Sequence, residues 1–463
     1  MGLIVVALAI VGYAVVSKRL SSTPLSAPLL FMVVGVVLGP SALAVIHGPR
    51  DTQVIEWLLE AALAFVLFTD ALGISSGDWR AKSRVPLRLL IVGMPLTIVL
   101  GWVAARSVFP SMDIWEAALI GICLAPTDAA LGQAVVTSPK VPALVRQALN
   151  IESGLNDGLA LPFFVLALAA AAEAEHVPTD GVAEVFLRSL VLAAVIGAIV
   201  GWLGARILVW SRDRGWVGRE WSQIGTLALV APPFSAAEHA GGSGFIATWV
   251  AGVVFGRVTR GDIADAVVLT EDLGGLLATV SFLGFGAILL GPVLGHVQWQ
   301  IIVYAVLSLI VIRLVPVAIS LVGSGFARPT FLFMGWFGPR GLASIVFGLF
   351  VAEEALPNGS VMLDTVFVTV ALSVILHGVT VGRRTLRPLV RAHERRARAA
   401  RRSAGRGRCL GPQTHHRPRG PRPLTAPAWA ACTDALLGSG YLTAFFTRSA
   451  IFFSSAGVSS FSA

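Results

Sequence analysis

The sequence predicts an all-α polytopic membrane protein with about thirteen transmembrane helices. Three observations carry that expectation. The hydrophobic fraction is 56% and the charged fraction 13%, with mean hydropathy +0.80, whereas soluble domains carry about 25% charged residues. Apolar runs long enough to cross a bilayer, about 20 residues each, recur through residues 1–385. Basic residues collect in alternate connections between those runs, as the positive-inside rule requires.

The runs fall near 2–17, 26–46, 54–74, 86–108, 114–137, 142–170, 184–209, 221–238, 243–257, 272–294, 299–322, 329–353 and 361–382. The first has no basic n-region and ends in Lys18 and Arg19 without a small-residue cleavage site, so it reads as a retained span. The eighth and ninth have the softest boundaries, because Pro232, Pro233 and the Gly241-Gly242 pair interrupt them. With the N-terminus outside, the cytoplasmic connections carry Lys18 and Arg19, then Arg80, Lys82, Arg84 and Arg88, then Lys140 and Arg146. The same side continues with Arg212, Arg214 and Arg219, Arg257 and Arg260, and Arg328. The opposite loops hold Arg50, Arg106, the acidic run Glu173, Glu175, Asp180 and Glu184, and later Glu353 and Glu354. The net charge of +9 thus reflects topology and tail and not a nucleic-acid partner.

Residues 386–463 change composition to Arg, Pro and Ala, and are expected to form a disordered, basic cytoplasmic tail drawn to anionic lipid. Its apolar patch Tyr441 to Phe453 is too short to span. Cys123, Cys409 and Cys432 share no C-x-x-C or metal-ligand spacing, so neither a disulfide framework nor a metal-sulfur site is expected.

Chemistry concentrates between Gly121 and Pro162, where carboxylates fall at bilayer depth at a cost of about 2.5–3.5 kcal/mol each. The fifth span places Ala125, Pro126, Thr127 and Asp128 at its middle. Proline lacks an N–H and clashes with the carbonyl four residues back, so Pro126 is expected to free the Ile122 carbonyl and unwind the helix. Freed carbonyls beside a hydroxyl and a carboxylate suit a dehydrated monovalent cation. A plain kink capped by Asp128 is the simpler reading, and it leaves Thr127 without a purpose.

In the sixth span Ser153 and Asp157 share one helix face, and Glu152 and Asn156 share another. Removal from water disfavours the charged form of a carboxylic acid, so that such a group exchanges protons near neutral pH. Ionised, it holds a cation instead. One aspartate thereby serves two mutually exclusive ligands. Polar residues that glue membrane helices account for Ser153 and Asn156 but not for Asp157.

The twelfth span carries Arg340 in WFGPRGLAS, broken by Pro339 between glycines 338 and 341. A buried guanidinium requires a carboxylate or exposed carbonyls, and Glu152 is the expected partner in a structural ion pair. The fifth and twelfth spans are an odd number apart, so spans one to six and eight to thirteen are expected to form two inverted repeats. The crossed broken helices then put Asp128 near N–H ends and Arg340 near carbonyl ends. Glu56 and Glu60 toward the outer end of span three, and Asp70 toward its inner end, are candidate funnel residues. Arg313, Glu238, His239, Asp364 and His377 are assigned structural or interfacial places.

The segments APTDAA, NIESGLNDG and FGPRG resemble the three signatures of the cation:proton antiporter superfamily, in its bacterial sodium/proton exchanger (NhaP-like) branch. The resemblance covers about residues 1–385. It implies the sodium/proton antiporter fold, and a homodimer whose protomers pair a scaffold with a moving six-helix core that includes 114–170 and 329–382. It implies that Asp157 exchanges H+ for Na+, with Ser153, Thr127 and nearby carbonyls as ligands, and that Glu152 pairs with Arg340. Asn156 stands where electrogenic relatives carry a second aspartate, which implies one-for-one electroneutral exchange. Two positions depart from the pattern: Ala129 replaces a proline after Thr-Asp, and Gly154 replaces a bulky aliphatic after Glu-Ser.

The expected activity is extrusion of Na+, Li+ or K+ against an inward proton gradient across a bacterial inner membrane, in pH and sodium homeostasis, with no cofactor and no nucleic-acid partner. A potassium/proton exchanger is the alternative within the class. A cation channel would need rings of acidic or carbonyl groups, and a membrane enzyme a nucleophile-base pair or metal cluster; neither pattern occurs.

Overall fold

The computed structural model describes residues 2–20, 25–46, 49–72, 84–128, 131–132, 141–174, 182–259, 264–354 and 356–380. Among these every regular element is a helix. In chain order they are α1 (Gly2–Leu20), α2 (Ala27–Leu38), α3 (Pro49–Leu72), α4 (Arg84–Val108) and α5 (Ile114–Cys123). Next come α6 (Ala143–Ala174), α7 (Val182–Asp213), α8 (Arg219–Ala228), α9 (Ala231–His239) and α10 (Gly244–Thr259). The last are α11 (Ala264–Gly284, continuing to Val293), α12 (Trp299–Ser320), α13 (Arg328–Trp336), α14 (Leu342–Glu353) and α15 (Gly359–Thr380). Six of the described helices are long and apolar enough to cross a membrane unaided.

Each of the thirteen predicted spans overlaps at least one described helix. The differences trace to proline and glycine. The second span stops at Leu38, where Gly39 closes the helix with its N–H on the Gly35 carbonyl, and residues to 46 form turns. The eighth divides into α8 and α9, because Pro232 and Pro233 lie in the first turn of α9 and donate no N–H to α8. Inside α4 and α11, π-helical turns Leu89–Gly93 and Phe285–Leu290 end two residues before Pro95 and Pro292. Arg80, Lys82, Ala129, Lys140, Glu175, Asp180, Arg260 and the whole of 381–463, with Cys409, Cys432 and the 441–453 patch, lie outside the described residues.

α3 packs on α10 and α11, and α7 on α10. Without a hydrophobic driving force inside lipid, close backbone approach has to hold these pairs, and small residues permit it. Gly197 and Gly201 of α7 lie so near Ala247 and Ala251 of α10 that an added Cβ would overlap their carbonyl groups. Toward the site, α5 packs between α4 and α6, and α15 packs on α12 and α14. A separate apolar cluster of Leu89, Val145, Leu149, Val317, Leu321, Phe333 and Phe337 fixes α13 against α4, α6 and α12.

The start of α5 is pinned from outside its own chain segment. Asp113 caps the helix, accepting the Trp115 N–H at 3.0 Å, while buried Glu116 accepts the Asp113 N–H at 2.9 Å. Glu116 also accepts the Asn358 backbone N–H at 2.9 Å and its side-chain amide at 2.7 Å. One carboxylate thus ties the first turns of α5 and α15 together.

Candidate ion-binding site

The helix α5 ends at Cys123, and Leu124 to Asp128 run as non-helical chain through the interior. The expected loss of the Ile122 hydrogen bond does not occur: its carbonyl accepts the Ala125 N–H at 3.1 Å in a tightened last turn. The carbonyls that leave the helix are those of Ala125, Pro126 and Thr127, because the chain has already turned extended there. A second interruption crosses the first. Between α13 and α14, Phe337 to Gly341 are non-helical, and the Asp128 N–H donates to the Pro339 carbonyl at 2.8 Å.

Side chains then serve the opposite termini. Asp128 Oδ2 accepts the Leu342 N–H at 3.2 Å, at the buried start of α14. Arg340 Nη1 donates to the Ala125 and Pro126 carbonyls at 2.9 and 3.1 Å, beyond the end of α5. Gly341 is required there, since a Cβ would overlap the Asp128 carboxylate. The crossing therefore places a carboxylate on free N–H groups and a guanidinium on free carbonyls.

The predicted pairing of Glu152 with Arg340 is corrected. Glu152 pairs with Arg313 of α12 at 2.6 Å, both nearly fully buried. The physical reason is competition: the freed carbonyls of the first break already occupy Arg340, and Arg313 has no such carbonyls. Gly338 leaves the space that the Arg313 guanidinium fills. Sequence reasoning missed this partner, although a charged residue in the middle of the 22-residue apolar helix α12 was itself a signal that a counter-charge must exist.

From α6, Ser153 donates its hydroxyl to the Thr127 carbonyl, and the Asn156 side-chain amide donates to Thr127 Oγ1 at 2.6 Å. Thr127, Ser153, Asn156 and Asp157 are all buried, at 2–6% exposure. Asp157 Oδ1 and Asn156 Oδ1 have no hydrogen-bond partner among the described residues. The structure thus brings Asp157, Ser153, Asn156, Thr127 and Asp128 together around the first break. Asp70 joins them from α3. A Cβ on Gly154 would sit 3.1 Å from the Asp70 Cβ, so the glycine that departs from the resembled pattern is what admits this carboxylate. Asp70, Asp128 and Asp157 lie close enough to interact electrostatically.

Glu56 and Glu60 stand apart from this centre. Glu60 lines a cavity of about 280 Å³ with Trp57, Phe65, Val230 and Phe234, between α3 and α9. Its electrostatic neighbours are Glu56, Glu238 and Glu353. No group of three His, Cys, Asp or Glu side chains among the described residues has the arrangement of a resident metal centre.

Two non-helical breaks that meet beside a buried aspartate define a class, the membrane carriers whose helices are interrupted at the ion site. A family model described as "Sodium/hydrogen exchanger, transmembrane" matches residues 5–386, and the chain belongs to that family. The chain is 25% identical over 365 residues to a K(+)/H(+) antiporter, NhaP, of Alkalimonas amylolytica, covering 78% of this chain and 62% of that relative. It is 25% identical over 329 residues to a probable Na(+)/H(+) antiporter of Schizosaccharomyces pombe, covering 67% of this chain and 43% of the relative. The chain therefore spans less than two thirds of the length of these two relatives. Its fold matches the solved structure of the sodium proton antiporter MjNhaP1 from Methanocaldococcus jannaschii, with TM-score 0.67 and 20% identity, covering 81% of this chain and 97% of that one.

Proposed function

We propose that this protein is a secondary antiporter exchanging cytoplasmic Na+ for external H+ by competition of the two ions for Asp157. The observation that carries the reading is the buried Asp157 Oδ1, without a hydrogen-bond partner among the described residues, beside backbone that has left its helix. An ionised carboxylate there would be uncompensated, so it takes up either a proton or a dehydrated cation. Ser153, Thr127, Asp128 and Asn156 complete the ion-binding set, with Asp70 as the carboxylate at its cytoplasmic approach. Because Asn156 is neutral, one proton exchanges for one cation. Glu152 and Arg313, with Arg340 on the carbonyls, hold the two breaks in register and do not carry ions.

Alternating access follows from motion of a core containing 114–170 and 329–382 against the remaining helices. In this reading the protein is a transporter and not an enzyme, works as a homodimer in a bacterial inner membrane, and has its N-terminus outside. Residues 1–385 form the antiporter domain, and the basic segment 386–463 is a cytoplasmic tail drawn to anionic lipid. The alternating loop charge supports that orientation. Potassium is the second candidate ion, supported by the Alkalimonas relative, which is a K(+)/H(+) antiporter by name.

The test is cation-induced dequenching of a pH dye in proteoliposomes, with Na+, Li+ and K+ added separately, for wild type and Asp157→Asn. A cation that collapses the pH gradient in wild type alone supports the reading and names the substrate. Undiminished exchange in Asp157→Asn, or no response to any ion, overturns it.

A further inference from the structure

Buried His377 of α15 contacts the start of the second break. Its Nδ1 lies 2.7 Å from the Ser373 carbonyl oxygen and 3.2 Å from Ser373 Oγ. Its Nε2 lies 2.7 Å from the carbonyl oxygen of Trp336, the last residue of α13. A neutral imidazole has one N–H, so it satisfies one of these carbonyls and turns a lone pair toward the other; an imidazolium donates to both. The same Ser373 hydroxyl accepts the Arg340 backbone N–H at 2.8 Å. Arg340 in turn occupies the Ala125 and Pro126 carbonyls. A continuous chain of contacts therefore runs from the His377 ring to the backbone that a cation would use.

We propose that His377 is a positioning residue of the ion site, whose protonation clamps α15 to the end of α13 and so holds Arg340 on the Ala125 and Pro126 carbonyls. The consequence for transport rests on the antiport reading above. When the ring is neutral with its one proton on Nδ1, the Trp336 carbonyl contact is released, Ser373 and Arg340 loosen, and the two carbonyls become available to a cation. The charged groups facing the ring are Arg313 from α12 and Arg340 from the break, both cations that oppose a third. The two carbonyls, one at a helix C-terminus, oppose them. Other ionisable groups on the packed elements lie elsewhere: Asp364 is against His296 at 3.3 Å, Glu116 is bound to Asn358 at the far end of α15, and Glu353 ends α14. The α11 turn that packs on α15, Phe285–Leu290, and α2 carry no charge.

The first arm measures exchange rate against pH in proteoliposomes for wild type and His377→Gln. The acid limb of wild type is expected to be steeper by one proton, about tenfold more per pH unit, and the variant to lose that increment. Equal steepness, or a uniform loss of rate, would overturn the proposal. The second arm needs neither transport nor a folded His377 variant. In the full-length Asp157→Asn protein in lipid nanodiscs, hydrogen exchange of the Gly338, Arg340, Gly341 and Leu342 amides, corrected for intrinsic rate, should become several-fold faster through a one-proton transition as pH rises. A flat response would sink the clamp. Absence of any exchange by wild type would instead contradict the antiport reading and leave the second arm to decide the clamp.

Discussion

Replacing Glu152 by Gln removes the counter-charge from a guanidinium that the fold has taken out of water. The Glu152–Arg313 contact is 2.6 Å, with side chains 4% and 6% exposed, so screening by solvent is small. Arg313 Nε and Nη2 have no hydrogen-bond partner among the described residues, and nothing else there compensates the charge. Breaking a buried pair by removing one partner costs about 3–5 kcal/mol, because the other charge is stranded. At about 1 °C per kcal/mol for a chain of this size, the melting temperature should fall by about 3–6 °C. The assay is thermal unfolding of detergent-solubilised protein followed by tryptophan fluorescence. Glu152→Leu combined with Arg313→Met removes both charges and should recover most of the loss, since apolar replacement of a whole pair is often neutral. A single variant melting within about 1 °C of wild type, or a double variant no better than the single, would refute the pairing.

Gly154→Leu should cut exchange by about tenfold or more and also lower the melting temperature, because the nearest atom its side chain meets is the Asp70 Cβ, which moves only with its helix. Ion uptake and thermal unfolding measured on one preparation check both halves. Ser153→Ala removes the hydroxyl that holds the Thr127 carbonyl and should raise the apparent KM for the cation by about tenfold with little change in maximal rate, read from exchange against cation concentration. Gly338→Ala pushes a methyl into the Arg313 guanidinium and should destabilise by about 1–3 kcal/mol, measured as a lower midpoint in the same unfolding assay.

The span pattern was legible because the bilayer imposes a length on every crossing helix, and a chain at 13% charge has few other ways to be built. The breaks were legible from Pro126 and Pro339, and the common face of Ser153 and Asp157 from the helical period. Which arginine meets Glu152 was not. Both Arg313 and Arg340 satisfy the demand for a cation at that depth, and only tertiary geometry, with the Ala125 and Pro126 carbonyls capturing Arg340, separates them. The Ile122 carbonyl misled for a related reason: a helix losing one bond to proline can tighten its last turn and keep the acceptor occupied. Gly154 was visible as a departure, but its meaning depends on Asp70 arriving from a helix more than eighty residues earlier in the chain. His377 was invisible as anything but a polar residue in a span, since its two carbonyl partners lie four residues away and on another helix.

The central claim is that one carboxylate holds a proton or a cation and not both. It is tested most directly by adding Na+ to detergent-solubilised protein in weak buffer and reading proton release with a pH indicator. Binding to wild type should release about one proton per cation, and Asp157→Asn should release none. Cation binding to wild type with no proton released, or undiminished release from Asp157→Asn, would contradict the account.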